Sequence, residues 1–452
     1  MKIIVAGAGR IGYSIASELS KEKHDITVIE RSVSVCQEVD DTLDVFTLNG
    51  NAAACGILEE AGAPTADLLI AVTQADETNL MICLTAKKLG VKHTIARVRN
   101  KEYYKQISIF KNEFGLSMTI NPEEATAGEI SRILRFPSAL KVEPFAKGTA
   151  ESIEIRIGAD SPLSDLKIAD FHGKFSDRVL ICAVSRKNDV FIPRGDFVLH
   201  AGDRLNIVGA YKEIVSFLKK VTGSISSVKT VIVLGGGTVS RYLLSQLDGS
   251  GMAIKVIEKD EDACARISSE FPKAGLVFAD GRKSNILTEE GIESADAFVA
   301  LTGDDDDNVI TSMYAMSLGI KKVVTKIKEG HIIRMLESGN LDSVVQPSGI
   351  ATQHVVQYVR SMQNAYSSSI DALYYTFDGR VEILEFRIKG SPDYINIPIK
   401  YLHISRDALI ASIIHDGKCI IPSGDDVISS GDSVIVATVR SGVFRPEDVL
   451  EA

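Results

Sequence analysis

The most constraining feature of this sequence is that it repeats itself. The segment KIIVAGAGRIGYSIASEL, which begins at Lys2, recurs as KTVIVLGGGTVSRYLLSQL from Lys229. A second segment, ILEEAGAPTADLLIAVTQADETNL from Ile57, recurs as ILTEEGIESADAFVALTGDDDDNV from Ile286. Because internal repeats report repeated structural units, we expect the chain to contain two copies of one architecture.

Each copy alternates short apolar runs with longer amphipathic stretches, the pattern of βαβ units in a parallel sheet. In the first copy we predict strands at Ile3–Ala6, Ile26–Ile29, Val45–Leu48, Leu68–Val72 and Thr94–Arg97. A sixth short strand is predicted near Met118, and a helix then runs from Pro122 to about Arg135. Its counterpart runs from Pro347 to about Ser361. The pattern predicts a doubly wound, Rossmann-like parallel sheet in each copy.

A strand-rich tail follows each sheet, and the two tails match each other. The first contains SIEIRI and VLICAVSR, and the second contains VEILEFRI and ALIASIIH. Turn residues at Lys187 to Asp189 and at Asp416-Gly417 suit small antiparallel modules. We therefore predict an α/β protein of four modules, with a Gly/Ser linker at Gly223 to Ser227. The Rossmann-like domains span 1–136 and 228–362, and the small α+β modules span 145–222 and 371–452.

Composition narrows the function classes. A chain of 452 residues exceeds one hydrophobic core, and a net charge of -10 argues against broad nucleic-acid binding. The six cysteines form no C-x-x-C pair, so neither a disulfide framework nor a thiolate metal site is indicated. No secretory leader and no apolar run of membrane-spanning length is recognisable. We expect a protein of a reducing, cytoplasmic compartment that acts at a membrane only through a partner.

The strongest candidate site is the GAGRIG motif at Gly7 to Gly12. It follows a predicted strand, opens a helix, and precedes an acidic residue, Glu30, at the end of the next strand. Gly7 suits the tight turn, Gly9 admits a pyrophosphate, and Gly12 lets the helix lie close to the strand. The backbone amides of Ala8, Gly9, Arg10 and Ile11 would then face the phosphates. Glu30 would accept hydrogen bonds from the ribose hydroxyls, which favours NAD or an adenine nucleotide over NADP. The alternative is a tight turn that binds no ligand.

Further candidate residues lie at the carboxyl ends of the predicted strands, where ligands bind in open α/β sheets. Arg31 follows Glu30 and suits a phosphate or adenine contact, or simply faces water. Asn51 follows strand three, Thr73 and Gln74 end strand four, and Arg97 ends strand five. A cation at Arg97 could reach a phosphate, although a surface role is the alternative.

The second copy reads GGGTVS, in which Ser240 replaces the third glycine. A serine adds only a small side chain at the contact between helix and strand, so we expect altered selectivity, with a copy that no longer binds as the alternative. The candidate contacts of this second site are Gly235, Gly236, Gly237, Thr238, Val239, Glu258, Asp280, Thr302, Gly303 and Lys326.

The acidic run at Asp304 to Asp307 precedes a predicted helix, where carboxylates cap free amides and favour the helix dipole. We interpret it as a cap and predict no metal, since the spacing of a calcium loop is absent. No catalytic set is recognisable either: there is no H-E-x-x-H pattern, no Walker A lysine and no G-x-S-x-G elbow.

Taken together, the duplicated glycine motifs, the AVTQADETN and ALTGDDDDN segments, the proline-opened helices and the two tails resemble the TrkA family over essentially the whole chain. In that family each half is a nucleotide-binding RCK N-lobe followed by an RCK C-lobe. The resemblance implies a regulatory subunit on the cytoplasmic face of the membrane, a tetramer with a ring of eight RCK units beneath an integral-membrane Trk potassium channel.

The resemblance also implies binding of NAD, NADH, ATP or ADP. The family's contacts fall on the candidate residues of the first site, except Gly12, Arg31 and Asn51, and on those of the second, except Asp280 and Gly303. Ser240 and a lysine at Lys326 depart from the pattern. The helices after Pro122 and Pro347 are the expected couplers and dimer contacts. The alternatives are an NAD-dependent oxidoreductase with tandem Rossmann domains and a nucleotide sensor acting on a different partner.

Overall fold

The structure is a computed structural model that describes residues 1–111, 113–136, 140–187, 189–222, 228–332, 341–365, 370–377, 379–440, 442–443 and 445–450. The chain divides into two compact units, one formed by Met1–Ile130 with Thr230–Val359 and the other by Ser131–Lys229 with Arg360–Ala452. The two parallel sheets therefore share the first unit, and the two strand-rich modules share the second. The linker predicted at Gly223 to Ser227 lies outside the described residues.

The first copy begins with a six-stranded parallel sheet. Its strands are β1 (Lys2–Ala6), β2 (Asp25–Glu30), β3 (Phe46–Asn49), β4 (Leu68–Ala71), β5 (His93–Arg97) and β6 (Met118–Ile120). Its helices are α1 (Arg10–Lys21), α2 (Val33–Thr42), α3 (Cys55–Glu60), α4 (Asp76–Leu89), α5 (Lys101–Phe110) and α6 (Pro122–Arg135). The strand order is β3-β2-β1-β4-β5-β6, so the direction of winding switches between β1 and β4.

A five-stranded antiparallel module follows the first sheet. Its strands are β7 (Lys141–Phe145), β8 (Ala150–Arg156), β9 (Val179–Arg186), β10 (Asp189–Phe191) and β11 (Arg204–Gly209). Two helices accompany them, α7 (Phe171–Lys174) and α8 (Tyr211–Thr222). The order is β10-β9-β11-β8-β7.

The second copy repeats both architectures. Its parallel strands are β12 (Thr230–Leu234), β13 (Ala253–Glu258), β14 (Gly275–Phe278), β15 (Ala297–Ala300), β16 (Lys322–Lys326) and β17 (Ser343–Val345). Its helices are α9 (Thr238–Leu247), α10 (Glu261–Glu270), α11 (Ser284–Glu289), α12 (Asp305–Ser317) and α13 (Pro347–Ala365). The antiparallel strands are β18 (Ile370–Thr376), β19 (Val381–Arg387), β20 (Ala408–His415), β21 (Lys418–Ile420) and β22 (Ser433–Thr438).

The predicted fold class is confirmed: two doubly wound parallel sheets, each followed by a small antiparallel module. The central strands β1 and β4 are buried along almost their whole length because helices cover both faces of a parallel sheet. Several predicted bounds were wrong, most of them by one residue, such as the end of the fourth strand at Ala71 instead of Val72. The third strand begins at Phe46 instead of Val45, and α13 continues to Ala365 because no glycine or proline interrupts it after Ser361. No helix in the described part of the chain has the length and hydropathy of a membrane span.

Each parallel sheet opens with a glycine turn that brings a helix close to a strand. Gly7 has φ +97° and Gly235 has φ +99°, a region that favours glycine. A Cβ added at Gly12 would lie 1.8 Å from the carbonyl oxygen of Gly7, which is closer than any real contact. In the second copy the matching Ser240 fits, and its hydroxyl donates to the carbonyl of Gly235. The helix therefore sits differently on the turn in the two copies.

A buried aspartate lies near the end of each antiparallel module. The carboxylate of Asp203 accepts hydrogen bonds from Nε and Nη2 of Arg186 at 2.8 and 2.7 Å. It also accepts one from the backbone N–H of His200 at 2.9 Å. Asp432 accepts the backbone N–H of Ser429 at 2.8 Å and hydrogen-bonds Nδ1 of His415 at 2.7 Å. The second module therefore has a titratable histidine where the first has a permanently charged arginine.

We predict that Gly12→Ala destabilises the protein by about 3 kcal/mol, because the added methyl group overlaps the Gly7 carbonyl. Ser240→Ala, the matched control, removes one hydrogen bond and should cost about 1 kcal/mol. Urea denaturation of both variants measures the difference. Equal losses in the two variants would contradict the close approach.

We also predict a pH-dependent contribution from His415. The hydrogen bond with Asp432, and the charges of Asp432 and Asp416, raise the pKa of His415. The contribution is complete below the ordinary histidine pKa of about 6.5 and is lost as pH rises through the raised value. His415→Arg should retain it, so the melting temperature should fall less between about pH 6 and about pH 8. Thermal unfolding at several pH values checks this, and identical pH profiles would refute it.

Candidate functional site

The start of helix α1 presents backbone amides to open space. Gly9 is the N-terminal cap of α1, with φ -63° and ψ -178°, and no side chain caps the helix. A Cβ added at Gly9 would meet no protein atom within 4 Å. Free amides at the positive end of a helix dipole bind phosphate well. The turn therefore combines unshielded donors with room for an anion.

The carboxylate of Glu30 organises the turn from the neighbouring strand. One oxygen, Oε2, accepts the backbone N–H of Ala8 at 2.8 Å. The other, Oε1, accepts the backbone N–H groups of Arg31 and Ser32 at 2.7 and 3.0 Å. A carboxylate has about four acceptor positions, so Glu30 keeps capacity for a ribose hydroxyl. The amide of Ala8, predicted to face phosphate, is engaged by Glu30 instead.

A buried asparagine joins the ends of strands β4 and β5. Asn79 accepts the backbone N–H and the hydroxyl of Thr73 at 2.8 and 2.7 Å. Its amide group donates to the carbonyl of Arg97 at 2.9 Å. Asn308 makes the matching bonds to Thr302 and to the carbonyl of Lys326. Neither asparagine was predicted as a site residue, although their match across the repeat was a usable signal.

A buried aspartate at the start of helix α4 positions Arg99, a second basic residue, which was not predicted as a site residue. Asp76 accepts the backbone N–H groups of Arg99 and Asn100, both at 2.8 Å. The guanidinium of Arg99 then donates to the carbonyl of Gln74 at 2.7 Å. Asp305 accepts the backbone N–H groups of Lys328 and Glu329 in the same way. Arg99 and Lys328 belong to no recognisable motif. Basic residues in loops are common in any sequence, so their positions alone do not indicate a site.

These elements surround a cavity of about 1050 Å³, large enough for a dinucleotide. All predicted first-site residues except Gly12 line it: Gly7, Ala8, Gly9, Arg10, Ile11, Glu30, Arg31, Asn51, Thr73, Gln74 and Arg97. Gly12 lies within helix α1, on the buried face that packs against the carbonyl of Gly7. Val239 and Lys326, predicted for the second site, line the same cavity, together with Lys328, Pro347 and Ser348. The cavity is thus shared by the two Rossmann domains of this unit.

The cavity is locally basic in an acidic chain. Among its lining residues, two are acidic, Glu30 and Glu123, and six are basic: Arg10, Arg31, Arg97, Arg99, Lys326 and Lys328. Burial, with the nearby charge of Lys328, lowers the pKa of Lys326 to about 8. Burial and the charge of Arg99 likewise lower the pKa of Arg97. A bound phosphate would relieve this crowding of positive charge.

The second glycine turn has a different surround. Gly236 donates to Oε2 of Glu258 at 2.5 Å, as Ala8 does to Glu30. Asp280, however, is held by Nε and Nη2 of Arg282 at 2.8 and 2.7 Å, and this arginine lowers the pKa of Asp280 to about 2. The structure places Gly235, Gly237, Thr238, Thr302 and Gly303 at the carboxyl edge of the second sheet, away from the shared cavity. The copies therefore differ in the charge they present.

The capping interpretation of the acidic run is confirmed. The carboxylate of Asp304 accepts the backbone N–H of Asp307 at 3.0 Å, at the start of α12. In the part of the chain that the structure describes, no three His, Cys, Asp or Glu side chains group closely enough to hold a metal ion.

Two family models match this chain, each twice. The TrkA-N domain model matches residues 3–122 and 231–347. The TrkA-C domain model matches residues 153–221 and 383–445. The matches alternate along the chain in the order of the two sheets and the two modules.

Curated relatives match over nearly the whole chain. A Trk system potassium uptake protein TrkA homolog from Archaeoglobus fulgidus is 32% identical over 425 residues, 94% of each chain. The TrkA protein of Haemophilus influenzae is 28% identical and covers 93% of this chain and 92% of its own.

Two solved structures share the fold, each at 15% identity. The GsuK channel bound to NAD aligns with a TM-score of 0.64 over 97% of this chain and 76% of its own. The GsuK RCK domain aligns with a TM-score of 0.63 over 96% and 92%. Since both family models and the curated relatives span most of the sequence, the protein belongs to the TrkA family of Trk potassium uptake proteins.

Proposed function

We propose that this chain is the nucleotide-sensing regulatory subunit of a Trk-type potassium uptake system. The observation that carries the proposal is the shared cavity, in which free amides at Gly9 face six basic side chains. Such a surface suits the phosphates of NAD, NADH, ATP or ADP. The curated relatives are named as Trk system potassium uptake proteins, and the GsuK channel, which has this fold, was solved bound to NAD. These names support the proposed uptake system and the proposed ligand class.

The first site is the principal nucleotide site of this proposal. The phosphates would lie against Gly9, Arg10 and Ile11, with the ribose at Glu30 and cations from Arg97 and Lys326 nearby. Asn51, which hydrogen-bonds Arg31, would lie beside the base. The second site, with Glu258 and the Asp280–Arg282 ion pair, would select a different nucleotide or bind more weakly.

Contacts between the two Rossmann domains couple the ligand to the unit's conformation. Arg10 lies 2.7 Å from Glu329 of the second domain, in a half-exposed ion pair. Tyr242 of the second domain accepts a hydrogen bond from the side chain of Asn121 at 2.9 Å. A phosphate at the α1 terminus would compete with Glu329 for Arg10. Ligands with different phosphate charge would therefore favour different arrangements, because a ligand shifts an equilibrium only by differential affinity.

Membership of the TrkA family supports a proposal for the oligomeric assembly and its membrane partner. We propose a homo-tetramer, a ring of eight RCK units, bound to the cytoplasmic side of an integral-membrane Trk channel subunit. The helices α6 and α13 cross from one compact unit of the chain to the other, which suits them to transmit a change. Co-purification of the chain with a Trk membrane subunit tests this partner against a different transporter.

A sensor binds its nucleotide without consuming it, whereas the rival oxidoreductase would turn it over. Incubation of purified protein with NADH and a panel of carbonyl compounds, followed at the NADH absorbance, separates the two functions. Sustained oxidation of NADH would favour the oxidoreductase.

We predict that Gly9→Val folds normally yet loses nucleotide binding at the first site. A Cβ added at Gly9 has no protein atom within 4 Å, and the backbone angles of Gly9 suit any residue. Loss of two charge-assisted hydrogen bonds to phosphate, about 3 kcal/mol, would weaken binding about 100-fold. Calorimetry with NAD, NADH, ATP and ADP measures it.

The matched control is Gly237→Val in the second turn, where an added Cβ likewise has no protein atom within 4 Å. This variant should leave the higher-affinity binding step intact. Unchanged nucleotide affinity in Gly9→Val, with wild-type thermal stability, would reject the first-site assignment.

A further inference from the structure

An arginine lies across the carboxyl edge of the second sheet, between the end of strand β14 and the start of helix α12. Arg282 donates from Nε and Nη2 to the carboxylate of Asp280 at 2.8 and 2.7 Å. On its other side, Nη1 lies 3.8 Å from the carboxylate of Asp307, in the first turn of α12. Two carboxylates from different loops therefore hold this guanidinium in place.

The ion pairs use the edge of the guanidinium and leave its faces free. All three contacts are made by nitrogen atoms, which lie in the plane of the group. The side chain of Arg282 is 48% exposed, so part of it stays open to a ligand. A guanidinium that is paired along its edge presents a flat, charged surface, which stacks well on aromatic rings.

The first copy shows which space Arg282 occupies. The segments that begin at Ile57 and Ile286 are matching repeats, and they pair three positions of the two copies: Asn51 with Asp280, Ala53 with Arg282 and Thr78 with Asp307. Asn51 and Thr78 both line the cavity of the first site. A group held between the matching residues of the second copy therefore lies at the corresponding space. Arg282 is placed to contact a ligand of the second glycine turn.

The first copy brings a guanidinium to the same point from a different segment. Its residue at the position of Arg282 is Ala53, yet Arg31, from the loop after strand β2, donates from Nη2 to Oδ1 of Asn51. Arg31 also lines the first cavity. In the second copy Lys259 takes the place of Arg31, and Arg282 supplies the guanidinium instead. Two routes to one arrangement indicate that the planar group itself is needed at the end of the third strand.

The strand order identifies the part of a nucleotide that these groups would contact. In the order β14-β13-β12, the glycine turn follows β12 and Glu258 ends β13. A phosphate at the turn and a ribose at Glu258 place the base one strand further out, at the end of β14, where Arg282 lies. The order β3-β2-β1 places a base beside Arg31 in the same way.

We propose that Arg282 binds the base of a purine nucleotide at the second glycine turn, by stacking its guanidinium on the ring, and that Arg31 does the same at the first. Asp280 and Asp307 position Arg282, and Asn51 positions Arg31. The flat group favours a purine over the smaller ring of a pyrimidine, because stacking grows with the area in contact. The inference rests on the proposed function, since it assumes a nucleotide at each turn.

The test compares ADP with UDP, which differ only in the base, by calorimetry on the full chain. The second site is isolated by Gly9→Val and the first by Gly237→Val. With Gly9→Val, Arg282→Ala should weaken ADP binding about tenfold and UDP binding about twofold, because one stacking contact is lost. Arg282→Lys should act like Arg282→Ala, since lysine keeps the charge but has no plane. Arg31→Lys should have this effect on the first site with Gly237→Val.

Lys259→Ala is the matched control, because Lys259 carries a positive charge close to Asp280 without a planar group. It should change the affinities for ADP and UDP by the same factor. A full preference for ADP in Arg282→Lys would overturn the proposal, since charge alone would then suffice. An equal loss of ADP and UDP binding in Arg282→Ala would also overturn it, because that result indicates a structural role. Thermal unfolding of each variant should match that of its parent.

The outcomes separate this proposal from the proposed function. A wild-type chain that binds neither ADP nor NAD would reject the proposed function, and this inference with it. ADP binding that no substitution of Arg31 or Arg282 weakens would overturn the base assignment and leave the nucleotide sensor in place. Binding by the Gly237→Val protein but not by the Gly9→Val protein would overturn the role of Arg282 alone.

Discussion

The close approach of helix α1 to the carbonyl of Gly7 is the contact on which the candidate site at this turn depends. With no side chain at Gly12, the helix begins directly over the carboxyl edge of the sheet. There its free amides lie at the same edge of the sheet as Glu30, Thr73 and Arg97. These three residues lie at or just after the ends of β2, β4 and β5. Asn79 then fixes the distance between β4 and β5 from inside the protein. A shift of the helix would separate the amides from the groups that complete the site.

Duplication let each copy diverge while the backbone stayed the same. The first sheet keeps Gly12 where the second has Ser240, and the first module keeps Arg186 where the second has His415. In each pair the second copy demonstrates what the fold tolerates, so the residue in the first copy can be read for its chemistry. A chain with one copy would offer no such internal control.

Much of the fold could be predicted because its signals are local. Apolar runs predicted the strands to within about a residue, and Pro122 and Pro347 predicted the starts of the exit helices. The GAGRIG motif predicted this turn because two of its glycines are required there: Gly7 has a positive φ, and a Cβ at Gly12 would overlap the carbonyl of Gly7. The sequence did not predict that the two Rossmann domains share a cavity, since no local pattern reports which surfaces pack together. Arg99, Lys328 and Glu123 were not predicted for that reason, and Lys326, which was predicted for the second site, also lines this cavity.

The shared cavity explains how a small ligand could influence a large assembly. A nucleotide held by one domain alone would change only that domain's stability. Here Lys326 and Lys328 bring positive charge from the second domain to the cavity of the first, while Arg10 reaches out to Glu329. The number of phosphate charges of a ligand at the α1 terminus would therefore enter the free energy of both domains together, and not of one domain alone. Since Lys326 has a pKa of about 8, its own protonation responds to that charge, and the preference between ligands is expected to vary near neutral pH.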